Sequence, residues 1–252
     1  MAKRGRKARK RTTYYNPRKV ALLAVILLAI GLLVKQIGPD RIRSILDSFG
    51  PQVDSAEDIL GVPEYSGNPY AEIGGNLPDF TEEELTTEPF ERYSELDELG
   101  RCGAAYANVC RELMPVKERE EIYRIKPTGW RTDVYDFIDL QFLYNRCHLI
   151  AFQLTGENDN ERNLITGTRY LNLEGMLPFE NRVAEYIYQT GNHVLYRVTP
   201  IFEGNNLVAS GVEMEAESVE DAGRGICFHV YVYNVQPGVE INYRTGESRQ
   251  AR

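Results

Sequence analysis

An apolar run near the start of the chain limits its possible folds more than any other feature. Residues 20–34 have the sequence VALLAVILLAIGLLV, without one charged or polar side chain. A helix that crosses a bilayer needs about 20 apolar residues, and this run reaches residue 38 if Lys35 and Gln36 extend their polar ends to the interface. We predict a transmembrane signal-anchor over residues 20–38. Cleavage as a signal peptide, followed by secretion, is the alternative, although the next residues, VKQIGPD, offer no good small-x-small cleavage site.

Charge is distributed unevenly along the chain. Residues 1–19 contain nine Lys and Arg and no acidic residue, whereas the remainder has 20 basic and 37 acidic residues, a formal net charge of −17. The positive-inside rule therefore predicts a cytoplasmic basic segment at residues 1–19 and an extracellular remainder. A nucleic-acid-binding tail is the alternative for the basic segment. We divide the remainder into a stalk or linker at residues 39–62 and an extracellular domain at residues 63–252.

The extracellular part has the pattern of an α+β domain. Helices are predicted at residues 101–113 and 177–190. Strands are predicted within residues 134–154, 193–202, 207–216 and 225–235, where the second and third form a hairpin. Loops and edge strands are predicted at residues 63–80, a solvated acidic face at 81–99 and a polar loop at 156–168. The sequence contains no internal repeat and no Gly-rich phosphate-binding loop.

Four cysteines are present, and an exported domain can form disulfides. They are Cys102, Cys110, Cys147 and Cys227, with no CxxC spacing. If Cys102 and Cys110 lie on one continuous helix, they are about 12 Å apart, too far for a mutual bond. Their partners would then be Cys147 and Cys227, or there is no disulfide.

A histidine stands in the apolar stretch FLYNRCHLIAFQL, directly after Asn145, Arg146 and Cys147. Imidazole can take a proton from water near neutral pH. An arginine beside it can hold a phosphate through two hydrogen bonds, and amide and carboxylate oxygens suit a hard divalent cation. The pattern is compatible with a one-metal phosphodiesterase, but a single histidine at a strand end is more often structural.

Longer segments resemble a known family. They are ELDELGRCGAAYA, PTGW, the stretch from LYNRCHLIAFQL to FENRVAEY, and GNHVLYRVTPIFEGNNLVASGVEMEA. From about Tyr65 to Ser248 the chain resembles the DNA/RNA non-specific endonucleases of the ββα-metal superfamily, in particular the membrane-anchored DNA-entry-type nucleases of Gram-positive bacteria. The resemblance implies a mixed or antiparallel central sheet flanked by helices. It also implies a metal-dependent, sequence-nonspecific endonuclease at the outer cell surface that cuts DNA, with RNA as a second substrate, using Mg²⁺ or alternatively Mn²⁺.

The resemblance also implies roles for individual residues. The family motif Asp-Arg-Gly-His falls on residues 145–148, so His148 would be the general base and Arg146 would bind the phosphate and stabilise the transition state. Asn172 falls on the direct metal ligand, and Glu180 on the helix acid that usually reaches the metal through water. Asn163 falls on a supporting polar residue of the substrate site.

The sequence departs from the family pattern on both sides of the Arg-x-His pair. Asn145 stands where the family has Asp, and Cys147 stands where it has Gly. The local charge can therefore differ from that of the family, and so can the distance at which other groups approach the backbone. Pro178 lies between Asn172 and Glu180, and we expect the helix to kink or begin there. The two side chains share a face only if that geometry allows it.

A domain with a net charge of −17 repels DNA, so binding requires a local cationic cleft. Besides Arg146, five cations are candidates, although ordinary surface roles are equally expected for each: Arg124, Lys126, Arg131, Arg162 and Arg169. The other two histidines, His193 and His229, fall in predicted strands and are expected to be structural. A zinc site built from them and the cysteines would have no recognised spacing.

A second function on the same fold is a catalytically impaired surface module that binds nucleic acid or wall polymer. Its site would have been damaged by the changes at Asn145 and Cys147. The presence of all five site residues named above favours the enzyme, because a decayed site should lose some of them.

Overall fold

The computed structural model describes residues 61–252. The predicted basic segment, the predicted signal-anchor and all but the last two residues of the predicted stalk lie outside this range. Within residues 61–252, no helix is both long enough and apolar enough to cross a membrane. Packing extends back to Val62, which is 3% exposed and belongs to a small apolar cluster with Ile73 and Tyr231.

A six-stranded antiparallel sheet forms the centre of the domain. In spatial order its strands are β1 (Tyr70–Glu72), β8 (Cys227–Tyr233), β7 (Gly211–Ser218), β6 (Val194–Ile201), β3 (Ala105–Val109) and β2 (Phe90–Tyr93). The predicted hairpin is confirmed as β6 and β7, which pair from Val194 opposite Ser218 to Ile201 opposite Gly211. The predicted strand at residues 225–235 is confirmed as β8, and β1 is the edge strand expected within residues 63–80.

The predicted helix at residues 101–113 is wrong. Residues 105–109 form β3, which pairs with β2 on one side and β6 on the other. Ala105, Ala107 and Val109 are fully buried and alternate along the strand, so their side chains share the face that packs into the core. The alanines give this stretch a high helix propensity, but burial between two strands overrides that local preference.

All four cysteines carry free thiols. Because Cys102 and Cys110 do not share a helix, the helical distance argument does not apply to them. Cys102 instead donates to the backbone carbonyls of Glu161 and Leu164, each at 3.1 Å. Of the two alternatives that the sequence leaves open, the structure has the one without a disulfide.

A separate strand pair carries the histidine motif. The strand predicted within residues 134–154 is β4 (Tyr144–His148), which pairs antiparallel with β5 (Leu164–Thr168). The polar loop predicted at residues 156–168 is therefore wrong in its second half, where the run LIT favours a strand and all five residues of β5 are buried. A short helix α1 (Phe152–Thr155) and a 3-10 turn (Glu161–Asn163) connect the two strands.

The helix predicted at residues 177–190 is confirmed as α2 (Leu177–Thr190). A π-helical turn (Leu171–Met176) leads directly into it, and both Met176 and Leu177 have right-handed helical backbone angles. The α-helix begins at Leu177, next to Pro178, in agreement with one of the two expectations, and it continues the π-helical turn without a kink. The proline lies in the first turn of α2, where its missing N–H costs little. Gly191 ends the helix in the left-handed region at φ 73° and donates its N–H to the Ile187 carbonyl.

The helix packs on the face of the central sheet near β8. A Cβ atom at Gly175 would lie 2.2 Å from Val232 Cγ1, so only glycine allows this close approach. The rings of Phe179 and Phe228 are 4.8 Å apart between centroids. The order β4, β5, α2 is thus a strand–strand–helix unit held against an antiparallel sheet. A last small strand pair consists of β9 (Val239–Ile241) and β10 (Ser248–Gln250).

Candidate active site

The strand–strand–helix unit lines a cavity of about 960 Å³. Four predicted site residues contribute to its wall: His148 and Arg146 from β4, Asn172 from the π-helical turn, and Glu180 from the first turn of α2. The fold therefore brings together in one cavity side chains that lie up to 34 positions apart in the sequence.

His148 is the last residue of β4 and is 6% exposed. Its Nε2 lies 2.9 Å from the Asn158 carbonyl oxygen, and its Nδ1 lies 3.4 Å from Arg119 Nη2. Because a carbonyl only accepts and a guanidinium only donates, Nε2 carries the proton and Nδ1 carries the lone pair. Burial lowers the pKa of His148 to about 4; the Asn158 carbonyl opposes this shift, and the Arg119 charge adds to it. The imidazole is neutral at pH 7, and its basic nitrogen lies on the Arg119 side of the ring.

The π-helical turn adjusts the positions of Asn172 and Glu180 on one helix. Eight residues of regular α-helix rotate about 80° beyond two full turns, which would separate the two side chains. A π turn has more residues per turn and so rotates less per residue, which reduces this offset. The Leu177 N–H accordingly bonds to the Asn172 carbonyl five residues earlier.

The oxygen donors of these two residues fit a hard divalent cation. Glu180 is 7% exposed and lines the cavity, and among residues 61–252 no hydrogen bond to its carboxyl group contributes to its pKa. Burial raises the pKa of Glu180 to about 8, and the Arg119 charge opposes this rise. A buried carboxylate without a partner is costly, and a bound cation would remove that cost. Carboxylate and amide oxygens are the ligands that Mg²⁺ prefers.

Arg146 also lines the cavity, but most of its guanidinium is already bound. Its Nε donates to the Ile125 carbonyl, and its Nη2 donates to the Tyr123 carbonyl at 3.0 Å. The guanidinium carbon lies 4.1 Å from the centre of the Trp130 ring, a cation–π contact. Arg146 therefore ties the loop before β4 to the wall of the cavity.

Arg119 lies on the same loop and lines the cavity in front of His148. Its contact with His148 Nδ1 is the 3.4 Å approach described above. Its positive charge also acts on the buried Glu180 carboxyl, whose pKa it lowers. The cavity thus combines a neutral base, two oxygen donors and a cation, which are the elements needed to bind a phosphodiester and activate water.

A family model described as DNA/RNA non-specific endonuclease matches residues 81–220. The chain belongs to this family. It is a nuclease, a hydrolase of phosphodiester bonds.

Solved nuclease structures have the same fold. NucA from Streptococcus agalactiae, in a magnesium-bound form, superimposes with a TM-score of 0.66 at 21% identity over 85% of this chain and 98% of that one. The metal-free form of NucA gives a TM-score of 0.65 at 22% identity with the same coverage. Sda1 nuclease with a bound zinc ion gives 0.61 at 23% identity, over 73% of this chain and 97% of that one.

The sequence alone did not single out Arg119 as a site residue of this nuclease. It lies in the segment KEREE, which is typical of a solvated surface, and it precedes His148 by 29 residues. No local pattern connects the two positions, because the contact depends on how the loop folds back across β4. The hydrogen bonds of Arg146 to the loop carbonyls, and that of the Glu120 N–H to Asn158 Oδ1 at 3.2 Å, hold the loop in this position.

Asn163 does not line the cavity of the nuclease. It is fully buried, its Oδ1 accepts from the Ile150 N–H at 2.9 Å, and its Nδ2 donates to the Ile150 carbonyl at 3.0 Å. The amide thus holds the backbone two residues beyond His148. This geometry favours a supporting role in the site over direct contact with substrate.

Of the five candidate cations, only Arg169 lines the cavity, and its Nη2 is paired with Asp139 at 2.6 Å. Two others make ion pairs elsewhere, Arg131 with Glu247 and Arg162 with Glu95. Arg124 and Lys126 are not among the residues that line the cavity. The cationic part of the site therefore consists of Arg119, Arg146 and Arg169.

The two other histidines lie outside the cavity. His193 Nδ1 lies 2.6 Å from Glu220 Oε1. His229 Nδ1 lies 2.9 Å from the Leu77 carbonyl, and its Nε2 lies 2.6 Å from Glu213 Oε1. Together with Glu215, His229 and Glu213 form the one group of three or more His, Cys, Asp or Glu residues within residues 61–252 whose ligand atoms lie close enough together to hold a metal ion.

Hydrogen bonds already occupy that second group. Glu215 accepts from Arg197 Nε at 2.7 Å and from the Asp79 N–H at 2.8 Å. The hydrogen bond to Glu213 raises the pKa of His229 against the opposing effect of burial. We therefore interpret this group as an ion-paired clamp between the sheet and residues 73–79, in agreement with the structural role predicted for His229.

Proposed function

We propose that this protein is a metal-dependent, sequence-nonspecific endonuclease that hydrolyses phosphodiester bonds in DNA, with RNA as a second substrate. His148 is the general base, Asn172 would bind one divalent cation directly, Mg²⁺ or alternatively Mn²⁺, and Glu180 would reach that cation through water. One observation carries the proposal: the unprotonated Nδ1 of a neutral histidine and the oxygen donors of two helix residues belong to the same cavity.

His148 takes a proton from the attacking water at Nδ1. The Asn158 carbonyl already accepts the Nε2 proton, so it keeps the ring in one tautomer and stabilises the imidazolium that forms. The low pKa of His148 comes from burial and from the Arg119 charge. An anionic phosphate that binds Arg119 would partly cancel that charge and thereby make the imidazole more basic.

Arg119 binds a non-bridging oxygen of the phosphate. It is a donor-only group beside the base and has no carboxylate within salt-bridge distance among the described residues. Arg146 keeps the role of phosphate ligand through the part of its guanidinium that the loop carbonyls leave free, and it holds the loop that carries Arg119. Bound Mg²⁺ would neutralise charge on the phosphate and on the leaving oxygen.

The nuclease domain acts outside the cell, held by the signal-anchor at residues 20–38 with residues 1–19 in the cytoplasm. Support comes from the charge asymmetry around the apolar run. Two further structural neighbours are described as an extracellular endonuclease and an extracellular nuclease. Protease added to intact cells should remove the domain and leave the N-terminus intact. Secretion after signal cleavage is the alternative, and it would release the domain into the medium.

The activity is tested by incubating the purified full-length chain with supercoiled plasmid and with RNA, in Mg²⁺ or in EDTA. We expect nicking and linearisation of plasmid in Mg²⁺ only, and none from His148→Ala. His193→Ala is the matched control, because His193 lies outside the cavity. If the folded wild-type chain is inert with several divalent metals, the proposal is wrong. A module that binds nucleic acid or wall polymer without cleaving it would then be the better interpretation.

A further inference from the structure

Cys147 occupies a buried position inside the active-site motif. It is 1% exposed and lies on β4 between Arg146 and His148. Its Sγ lies 3.1 Å from Asn172 Oδ1, the shortest of its contacts, and 3.6 Å from Met176 Sδ. The thiol therefore connects β4 with the helical segment that carries Asn172.

The thiol has one proton, and the Asn172 carbonyl oxygen is the strongest acceptor within its reach. An amide oxygen has two lone pairs, so Asn172 Oδ1 can accept from Cys147 with one and face a cation with the other. The thiol also distinguishes the two ends of the amide. With the amide reversed, the NH₂ group would meet sulfur, a weak acceptor, and a donor would stand where a metal ligand is needed.

The neighbouring strand leaves room for this thiol. A Cβ atom at Gly167 would lie 2.7 Å from Cys147 Cβ and 2.8 Å from Leu171 Cδ2. Any larger residue at position 167 would push against Cys147 and against the residue before Asn172. Glycine on β5 thus compensates for a cysteine on β4, where glycine is expected from the resemblance.

We propose that Cys147 is a positioning residue that fixes the Asn172 amide with its oxygen toward the metal site. This inference rests on the proposed function, because it assigns Asn172 as a metal ligand. The thiol does not touch substrate. It acts through Asn172, as residues bonded to metal ligands commonly do.

The test measures metal affinity rather than cleavage. Mg²⁺ is titrated calorimetrically into the full-length wild-type chain and into Cys147→Ala and Cys147→Ser. The shift in unfolding temperature with MgCl₂ gives a second reading. Alanine removes the donor with little change in volume, whereas serine keeps a donor. Cys102→Ala is the matched control, because Cys102 is a buried thiol that donates only to backbone carbonyls of residues other than the proposed ligands.

We expect Cys147→Ala to weaken Mg²⁺ binding by roughly tenfold, the effect typical of losing a partner of a metal ligand. Cys147→Ser should stay within about threefold of wild type. Cys102→Ala should lower the unfolding temperature without changing Mg²⁺ affinity. Equal affinity of wild type and Cys147→Ala would overturn the inference, as would equal weakening by alanine and serine.

The inference and the proposed function can fail separately. If the wild type binds Mg²⁺ and cleaves plasmid while Cys147→Ala binds Mg²⁺ equally well, only the role of Cys147 is refuted. If the wild type binds no Mg²⁺ and cleaves no plasmid with any metal, both the proposed function and the role of Cys147 are refuted.

Discussion

His148 and His229 are both buried and hydrogen-bonded, yet their surroundings shift the pKa of the two rings in opposite directions. His148 is 6% exposed and His229 is 8% exposed. Burial and the positive Arg119 keep His148 neutral, although its Nε2 faces a carbonyl that opposes this effect. His229 faces the Leu77 carbonyl and the carboxylate of Glu213, which favour the protonated ring. Two histidines of similar burial thus suit different roles: His148 can act as a base, whereas His229 binds the Glu213 carboxylate in the ion-paired clamp.

The largest expected difference between the two sites concerns catalysis. His148→Gln should lower the rate of Mg²⁺-dependent plasmid cleavage by about 10²–10⁴-fold, because a general base typically contributes that much. His229→Gln should leave the rate nearly unchanged at a temperature where it is folded. Cleavage rates of both variants, measured beside the wild type, decide the point. A large loss in His229→Gln alone would reverse the assignment.

The second difference concerns stability. Glu215→Ala should lower the free energy of unfolding by about 3 kcal/mol, because it leaves the Arg197 guanidinium and the Asp79 N–H without the buried carboxylate that accepts from both. Glu217→Ala is the matched control. It lies two residues further along β7, on the same face, and has no hydrogen-bonded side chain among residues 61–252. Urea unfolding of both variants gives the comparison, and equal losses would argue against the clamp.

A smaller effect is expected for the cation beside the base. Arg119→Ala should lower the cleavage rate by about tenfold, since it removes a charged hydrogen bond to the phosphate. Arg124→Ala, on the same loop but away from the cavity, should have little effect. Steady-state cleavage of a short duplex measures both. Faster cleavage by Arg119→Ala would mean that this side chain obstructs the cavity.

The smallest effect is a contrast in the pH dependence of stability. The hydrogen bond to Glu213 raises the pKa of His229 in the folded protein. The contribution of His229 to the free energy of unfolding is therefore complete below the unfolded-state pKa of about 6.5, and it is lost as the pH rises through the folded-state pKa. Burial lowers the pKa of His148 in the folded protein to about 4. The contribution of His148 to the free energy of unfolding is therefore present above the unfolded-state pKa of about 6.5, and it is lost as the pH falls toward 4.

Urea unfolding between pH 4.5 and pH 9 measures this contrast. His229→Gln should remove part of the loss of stability on the alkaline side, and His148→Gln part of the loss on the acid side. If both variants change the same side of the profile, the two environments do not differ in the way described.

The sequence predicted regular elements best where local pattern and packing agree. The hairpin of β6 and β7, strand β8 and helix α2 each have apolar residues at the period of their final structure. The prediction from sequence was wrong at β3, where the buried alanines give a pattern typical of a helix. It was also wrong at β5, a short strand whose neighbours in the sequence are polar. In both cases the deciding interaction is pairing with a distant strand.

The same limit applies to the candidate site. The resemblance identified His148, Asn172 and Glu180, and the structure brings all three to one cavity. Arg119 could not be identified, because its approach to His148 depends on a loop held by Arg146. The contact between Cys147 and Asn172 was hidden for the same reason, since it joins a strand to a helical turn 25 residues away.

The central claim is that Nδ1 of His148 acts as the base, and chemical rescue tests it most directly. His148→Gly should lose Mg²⁺-dependent plasmid cleavage. Added imidazole, which fits the space left by the side chain, should restore cleavage in a saturable manner. His193→Gly, which lies outside the cavity, should cleave at the wild-type rate with or without imidazole. If His148→Gly is folded and binds Mg²⁺ but imidazole restores no cleavage at any pH, the claim that His148 is the base is contradicted.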